Sequence, residues 1–165
     1  MKAIMTGSFD PITVGHMEII KKACQFFDEF YVVALINSEK EYTFTLEEKK
    51  EIMKLALSDI PNVKVDAYDG LTVNYMHEHG IDKIIRGIRS TSDEEYEKKL
   101  ANIMKSYDSS FETIFIRSHG EMKSVSSSLV KDKLLRGDDI SALIPPKAYD
   151  KIMEYYEAKK TNKEL

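Results

Sequence analysis

The sequence predicts an α/β protein in which one domain contains a doubly wound, five-stranded parallel sheet followed by C-terminal helices. Short runs rich in β-branched and aromatic residues alternate with amphipathic helical patterns along the chain, which is typical of a parallel sheet covered by helices. The 165 residues, 42% of them hydrophobic, suffice for one sizeable core. No repeat or linker divides the chain, so we predict one domain over residues 1–160 and a frayed, charged tail at 161–165.

The elements follow in order along the chain. Strands are predicted at residues 3–5, 30–35, 63–67, 83–85 and 113–116, and helices at 16–27, 46–57, 71–79, 94–107, 127–135 and 146–160. Thr45 and Glu48 form a capping-box pattern at the start of the second helix. Gly80 and Gly137 stand where glycines would end the third and fifth helices.

Composition excludes several classes of function. A formal net charge of −4 argues against a protein that neutralises many nucleic-acid phosphates. No apolar run reaches the roughly 18 to 20 residues of a membrane span and no signal-peptide pattern begins the chain, so we expect a cytoplasmic protein with no membrane partner. His77 and His79 are two residues apart on a predicted helix and point to opposite sides, so we predict no protein metal site there.

Four segments that follow predicted strands carry unusual chemistry. They read "TGSFDPITVGH", "NSEKEYTFT", "RGIRSTSD" and "RSHGEMKSVSSS", and they concentrate glycines, hydroxyls and basic side chains. In open α/β sheets, ligands bind beyond the carboxyl ends of the strands. The four segments therefore predict a site for a small anionic ligand.

The first of these segments has the features of a phosphate site. Gly7 allows a tight turn and close approach of a ligand, and Ser8 adds a hydroxyl. Gly15 and His16 stand at the start of the first helix, whose free N–H groups and positive dipole end attract anions. The dipole also favours a neutral imidazole that donates a hydrogen bond. A loop that only shapes the backbone, with His16 in the cap, remains the alternative.

Later segments add basic and hydroxyl groups. Arg86 and Arg89 flank Gly87, and two guanidinium groups can each grip phosphate oxygens in a bidentate manner. A solvated basic loop paired with the acidic "DEEYE" is the alternative. The serines of "SVSSS" begin a helix, where they can cap it, bind phosphate, or do both. Lys40 lies in a polar loop and reads by itself as a surface residue.

Taken together, these motifs resemble a known family. The stretches "GSFDPITVGH", "FTLEEK", "IIRGIR", "EYE" and "SSSLVK" occur in the order and spacing of bacterial phosphopantetheine adenylyltransferases, which belong to the nucleotidyltransferase α/β-phosphodiesterase superfamily with its Rossmann-like fold. The resemblance covers nearly the whole chain. It implies a nucleotidyltransferase domain that transfers the adenylyl group of ATP, assisted by Mg²⁺, to 4′-phosphopantetheine in coenzyme A biosynthesis, and it implies a homohexamer.

The resemblance also implies roles for individual residues. His16 would be the catalytic residue and, with Ser8, would contact the reacting phosphates. Lys40 and Arg86 would hold the acceptor phosphate, and Leu71 and Thr72 would line the pantetheine arm. The implied ATP-binding residues are Ser8, Phe9, His16, Gly87, Ile88, Arg89, Glu97, Met122, Lys123, Ser124, Val125, Ser126, Ser127 and Ser128.

Two other functions are compatible with the fold class. A related adenylyl- or cytidylyltransferase, for example one that acts on nicotinamide mononucleotide, would share the fold, although "RGIR" and "SSSLVK" argue against it. A receiver-like regulatory domain would need an acidic cluster after its first strand. Asp10 is the only acidic residue in that segment, so the receiver interpretation is disfavoured.

Overall fold

Residues 1–164, which the computed structural model describes, form one sheet of five strands with six helices around it. The strands are β1 (Lys2–Gly7), β2 (Glu29–Leu35), β3 (Val63–Tyr68), β4 (Lys83–Ile88) and β5 (Glu112–Arg117). The helices are α1 (Val14–Ala23), α2 (Leu46–Ala56), α3 (Thr72–His79), α4 (Thr91–Tyr107), α5 (Ser127–Arg136) and α6 (Tyr149–Glu164). Short 3₁₀ turns lie at Cys24–Phe26, Gly120–Ser124 and Pro146–Ala148.

The sheet is parallel throughout, with strand order β3-β2-β1-β4-β5. The register aligns Ala3 of β1 with Phe30 of β2 on one side and with Lys83 of β4 on the other. The order reverses between β1 and β4, and the loops that leave these two strands diverge and open a crevice. The prediction of a doubly wound, five-stranded parallel sheet is confirmed.

Alternate residues of the central strand belong to two separate cores. Ala3 and Met5 of β1 pack in the larger core, together with buried residues of α1, α2, α5 and α6. Ile4 faces the opposite side of the sheet and packs in a smaller core with Val73 and Met76 of α3, against which Met104 of α4 also packs. The period-2 alternation of a strand thus directs helices to both faces.

Several helices begin or end away from the predicted residue because a cap decides the boundary. Helix α1 begins at Val14, two residues before the predicted start, since the Thr13 side chain caps it. Helix α4 begins at Thr91 and not at residue 94, since the Ser90 side chain accepts from the Asp93 N–H. The predicted capping box at Thr45 is present.

Both predicted glycine ends are observed. Gly80 and Gly137 end α3 and α5 with left-handed φ angles of 65° and 75°. The C-terminus differs from the prediction, because α6 continues to Glu164 where a frayed tail was expected from residue 161. The Thr161 hydroxyl donates to the Glu157 carbonyl at 3.1 Å within this last part of the helix. Leu165 lies outside the described residues.

None of the helices in residues 1–164 is both long enough and apolar enough to cross a membrane.

Candidate active site

A polar cavity of about 140 Å³ lies in the crevice between the carboxyl ends of β1 and β4. Its walls come from the first and third of the four predicted loops, from α1 and α4, and from Ser118 near the start of the fourth loop. The lining residues are Met5, Thr6, Gly7, Phe9, Gly15, His16, Ile19, Ile85, Arg86, Gly87, Arg89, Glu97 and Ser118. We call this the polar cavity.

Phe9 forms one wall of the polar cavity. Its backbone has a φ of 43°, which is uncommon for a residue with a side chain and is concentrated at functional sites. The ring is 2% exposed and meets the His16 ring edge-on, with 4.9 Å between centroids. Phe9 therefore fixes the position of the imidazole from one side.

His16 is held in one tautomer by the N-terminal cap of α1. The Thr13 backbone N–H donates to His16 Nδ1 at 3.0 Å, and Thr13 Oγ1 lies 3.1 Å from the same atom. Because Nδ1 accepts, the proton of the neutral ring lies on Nε2. Burial, followed by the charge of Arg89, lowers the pKa of His16 to about 4. The lowered pKa supports the neutral donor expected from the sequence, and burial is its largest cause.

Gly15 allows residues 122–128, which we call the serine-rich segment, to approach α1. A Cβ atom at this position would lie 2.9 Å from the Val125 carbonyl oxygen and 3.5 Å from that of Met122. The Ser127 hydroxyl donates to the Pro11 carbonyl at 2.7 Å. The first and fourth predicted loops are therefore in direct contact.

Asp10 connects two of the four predicted loops and helix α5. Its carboxylate is 1% exposed and accepts from the backbone N–H groups of Thr43 and Phe44, both at 2.9 Å. It also accepts from Lys131 Nζ of α5 at 3.2 Å. Asp10 therefore joins the first loop to the second loop and to α5.

Arg86 is bound by Glu97 in a bidentate ion pair. Arg86 Nε and Nη2 donate to Glu97 Oε2 and Oε1 at 2.7 and 3.0 Å, and Nη1 donates to the Thr6 carbonyl at 3.3 Å. The two side chains are 27% and 13% exposed. The family resemblance implies that Arg86 and Glu97 bind different ligands, whereas the structure pairs them with each other.

An apolar cavity of about 210 Å³ adjoins the polar one. The two cavities share Thr6, Arg86 and Glu97 as a common wall. The remaining residues that line the apolar cavity are Thr72, Ile84, Leu100, Ala101, Ile103, Met104 and Thr113. The contribution of α4 was not predicted, although Leu100, Ile103 and Met104 have the i, i+3, i+4 spacing of a helix face.

Seven of the eighteen predicted site residues line the two cavities. Phe9, His16, Arg86, Gly87, Arg89 and Glu97 line the polar cavity, and Thr72 lines the apolar one. Ser8 is partly buried between two residues that line the polar cavity. Ile88 is a buried core residue, and Lys40 and Leu71 are exposed on their loops.

The serine-rich segment has mainly capping and packing contacts. Ser126 caps α5 by accepting from the Leu129 N–H at 3.1 Å, and Ser127 makes the Pro11 contact described above. Val125 is buried, Met122 is partly buried, and Lys123, Ser124 and Ser128 are exposed. The segment borders the first loop without lining either cavity.

Residues that the sequence interpretation missed supply part of both walls. Thr6 and Ser118 are buried and lie at the end of β1 and just after β5. The sequence could have indicated both residues, because each follows a predicted strand and the carboxyl ends of these strands meet at the same edge of the sheet.

Glu94 accepts from Arg117 and pairs with Lys98 Nζ at 3.0 Å, away from the cavities.

Metal-ligating side chains are scattered over the part of the chain that the structure describes. No group of three or more His, Cys, Asp or Glu residues within 1–164 could hold a metal ion. His77 Nε2 lies 2.9 Å from Asp108, and His79 Nδ1 lies 2.9 Å from the Tyr75 carbonyl.

The site can be compared with known proteins. The sequence profile of the cytidylyltransferase-like family matches residues 4–133. The chain belongs to the cytidylyltransferase-like family. The cytidylyltransferase-like region runs from β1 into α5 and so includes every residue that lines the two cavities.

A solved structure from Vibrio parahaemolyticus, assigned as a nicotinate-nucleotide adenylyltransferase, is similar over 94% of this chain and 95% of that chain. The TM-score is 0.71 and the sequence identity is 16%, so this likeness shows the fold alone. Family and fold together support a nucleotidyltransferase-type enzyme.

Proposed function

We propose that this protein transfers the adenylyl group of ATP to 4′-phosphopantetheine, forming dephospho-coenzyme A and pyrophosphate. The observation that carries the proposal is the common wall of the two cavities. A polar cavity suited to phosphates meets an apolar cavity suited to an uncharged arm, and Arg86 stands between them. An acceptor with one phosphate and a long, uncharged chain matches that arrangement.

On the ATP side, His16 and Arg89 provide the charged and hydrogen-bonding groups of the polar cavity. Gly7 and Gly87 leave the backbone accessible at the ends of β1 and β4. Ser8, Phe9, Ile88, Glu97 and the residues from Met122 to Ser128 complete the proposed ATP contacts.

On the acceptor side, Arg86 and Lys40 hold the phosphate and the arm enters the apolar cavity. The hydroxyls of Thr72 and Thr113 lie among apolar side chains, which suits an arm whose amides need a few hydrogen bonds along an apolar path. Leu71, 61% exposed beside Thr72, would contact the part of the arm outside the cavity.

The reaction needs no protein nucleophile. An oxygen of the acceptor phosphate attacks the α-phosphorus of ATP, a new P–O–P linkage forms, and the bond to the leaving pyrophosphate breaks. The protein positions two polyanions and stabilises the charge that develops on the transferring group. The neutral Nε2–H group of His16 donates a hydrogen bond to that charge, and Arg89 adds a positive group.

Mg²⁺ would enter with ATP as part of the substrate. Among the described residues, Glu97 is the only carboxylate that lines the polar cavity, and it is engaged by Arg86. Mg²⁺ keeps several waters and is commonly held by substrate phosphates with few protein ligands. The residues present suit a metal carried by the nucleotide, whose charge would offset that of the phosphates.

We also propose that the protein assembles as a homohexamer. Helix α4 is 17 residues long and has no buried residue within 1–164. Its residues Tyr96, Ile103 and Tyr107 are 62%, 52% and 64% exposed. Apolar side chains grouped on one helix favour burial against another copy. Light scattering coupled to size-exclusion chromatography measures the mass directly, and a monomer would contradict this proposal.

A pyrophosphate-release assay tests the function. With ATP and Mg²⁺ present, 4′-phosphopantetheine should be used with the highest kcat/KM, and nicotinamide and nicotinate mononucleotides should be poor acceptors. The mononucleotides are the informative alternatives because the similar Vibrio protein carries the name of a nicotinate-nucleotide enzyme. A higher kcat/KM with either mononucleotide than with 4′-phosphopantetheine would contradict the proposal and identify that mononucleotide as the acceptor.

A cavity-filling variant tests the placement of the arm. Ala101→Phe places a ring in the apolar cavity and should raise KM for 4′-phosphopantetheine about 10-fold or more, with KM for ATP changed less than about 2-fold. Ala158→Phe, at an exposed position of α6, is the matched control. Equal effects of Ala101→Phe on both substrates would contradict the assignment.

A further inference from the structure

Lys49 is a buried cation that the proposed reaction does not use. This residue of α2 is 1% exposed, and its Nζ atom has no hydrogen-bond partner among the described residues. The Tyr42 ring lies against it, with 3.6 Å between the ring centroid and Nζ, and the charge of Asp10, which also binds Lys131, favours the ammonium form. A desolvated ammonium over an aromatic face makes one of the stronger cation–π contacts. Burial accordingly lowers the pKa of Lys49.

Tyr42 also closes the loop that carries Lys40. Its hydroxyl oxygen accepts from the Asn37 backbone N–H at 2.7 Å, so the phenol joins the two ends of residues 37–42. Inside that loop the Lys40 N–H donates to the Asn37 carbonyl at 3.0 Å, and the Glu39 N–H donates to Asn37 Oδ1 at 3.0 Å. The loop is a closed unit with Lys40 exposed on it.

The closed loop follows β2, which ends at Leu35, and is fixed to the first loop just after Tyr42. Directly after Tyr42, the N–H groups of Thr43 and Phe44 bind the buried Asp10 carboxylate of the first loop. The hydrogen bonds described for residues 37–42 join the loop to itself, and the Tyr42 ring on Lys49 joins it to α2. The Tyr42–Lys49 contact is therefore what orients the loop relative to α2.

We propose that Tyr42 and Lys49 are positioning residues that set Lys40 for the acceptor phosphate. This inference rests on the proposed function, in which Lys40 binds that phosphate. The buried ammonium holds the aromatic ring, and the phenol oxygen holds the end of the loop at Asn37. Neither residue lines the polar cavity or touches the reacting groups.

Four variants separate the two contacts. Tyr42→Leu removes the ring and the hydroxyl, whereas Tyr42→Phe keeps the ring on the ammonium and loses only the bond to Asn37. Lys49→Met removes the charge with little change of volume, and Lys49→Arg restores a cation. Tyr155→Leu is the control for loss of a tyrosine that contacts α2 outside the loop, because its hydroxyl donates to Glu51 of α2 and its ring lies 5.4 Å from Lys151 Nζ.

Hydrogen exchange of the amides in residues 37–41 is the readout that does not depend on activity. Tyr42→Leu should speed their exchange about 10-fold, Lys49→Met somewhat less, and Lys49→Arg should restore protection. Unchanged exchange in Tyr42→Leu would overturn the inference, even if kinetic parameters changed.

Steady-state kinetics then tests the purpose of this positioning. Tyr42→Leu and Lys49→Met should raise KM for 4′-phosphopantetheine about 5- to 20-fold, with kcat and KM for ATP changed less than about 2-fold. Lys49→Arg should recover most of the loss. Equal increases of both KM values would overturn the proposed role. If the wild-type protein does not use this acceptor at all, the proposed function fails. Hydrogen exchange alone then decides whether the Tyr42–Lys49 contact holds the loop.

Discussion

Arg86 and Glu97 face each other as a two-bond pair, with Nε–Oε2 and Nη2–Oε1 distances of 2.7 and 3.0 Å, on the wall that the two cavities share. Arg89, three residues further on, lines only the polar cavity. The two arginines of "RGIR" therefore have different surroundings, although they are only three residues apart in the sequence.

This difference predicts separate effects of the two arginines on binding. Arg86→Ala should weaken the acceptor more, because Arg86 borders the apolar cavity, and Arg89→Ala should weaken ATP more. Each loss should be on the order of 2 to 3 kcal/mol, as for charge-assisted contacts to phosphate. Calorimetric titration of each variant with each ligand measures the losses. Equal losses for both ligands in both variants would be incompatible with the assignment.

His16 should act on the transition state more than on bound substrate. A neutral Nε2–H donor gains strength as the transferring phosphoryl oxygens take up charge, so His16→Ala should lower kcat roughly 100-fold or more with little change in KM. Steady-state kinetics on variants whose fold is checked by circular dichroism measures this. A wild-type kcat in His16→Ala would assign the residue to the helix cap alone.

Thr13→Ala is the control for that variant. It removes the side chain that caps α1 and should cost about 1 kcal/mol of folding free energy, yet the imidazole and the Thr13 backbone N–H remain. We expect its kcat to stay within about 5-fold of wild type, because the donor is kept.

The lowered pKa of His16 predicts a dependence of stability on pH. The folded protein takes up the His16 proton near pH 4, whereas the unfolded chain takes it up near 6.5. The unfolded state therefore binds more protons in this window, and the His16 contribution to stability is complete above about pH 6.5 and is lost as pH falls toward about 4. Urea unfolding at several pH values measures the free energy of unfolding.

His16→Gln is the matched variant for that experiment, since glutamine at the third helical position can preserve the capping box. Between pH 6.5 and 4 the wild type should lose more unfolding free energy than this variant. If the unfolding free energies of the wild type and the variant fell by the same amount over this pH range, His16 would not be the group that causes the pH dependence. An NMR titration of the His16 ring in the free protein provides a direct check.

Gly15→Ala should displace the serine-rich segment. The new methyl would lie 2.9 Å from the Val125 carbonyl oxygen, and such overpacking costs typically about 1 to 3 kcal/mol. We expect a lower melting temperature and weaker ATP binding, because the methyl group would push the serine-rich segment away from the first loop. Gly7→Ala is the stability control, since its closest contact would be an ordinary 3.5 Å to the Phe9 ring. Equal melting temperatures for the two variants would contradict the close-approach interpretation.

The sequence by itself determined the elements of this protein, because their signals are local. Strand and helix periodicity predicted the five parallel strands, and Thr45, Gly80 and Gly137 marked helix ends through contacts within a few residues. Boundaries at Val14 and Thr91 were missed by two or three residues, where Thr13 and Ser90 act as caps. The loops that contain glycines, arginines and serines could likewise be read from the sequence.

Only the tertiary structure decided which of these loops form one site. The strand order puts β1 beside β4, so that the loops after these strands open the crevice, and no local pattern specifies strand order. The partners of Asp10 are 33, 34 and 121 residues away, and the apolar cavity depends on how α4 packs across the sheet. Contacts of this kind arise from long-range packing of whole elements, which residue patterns within a short window do not contain.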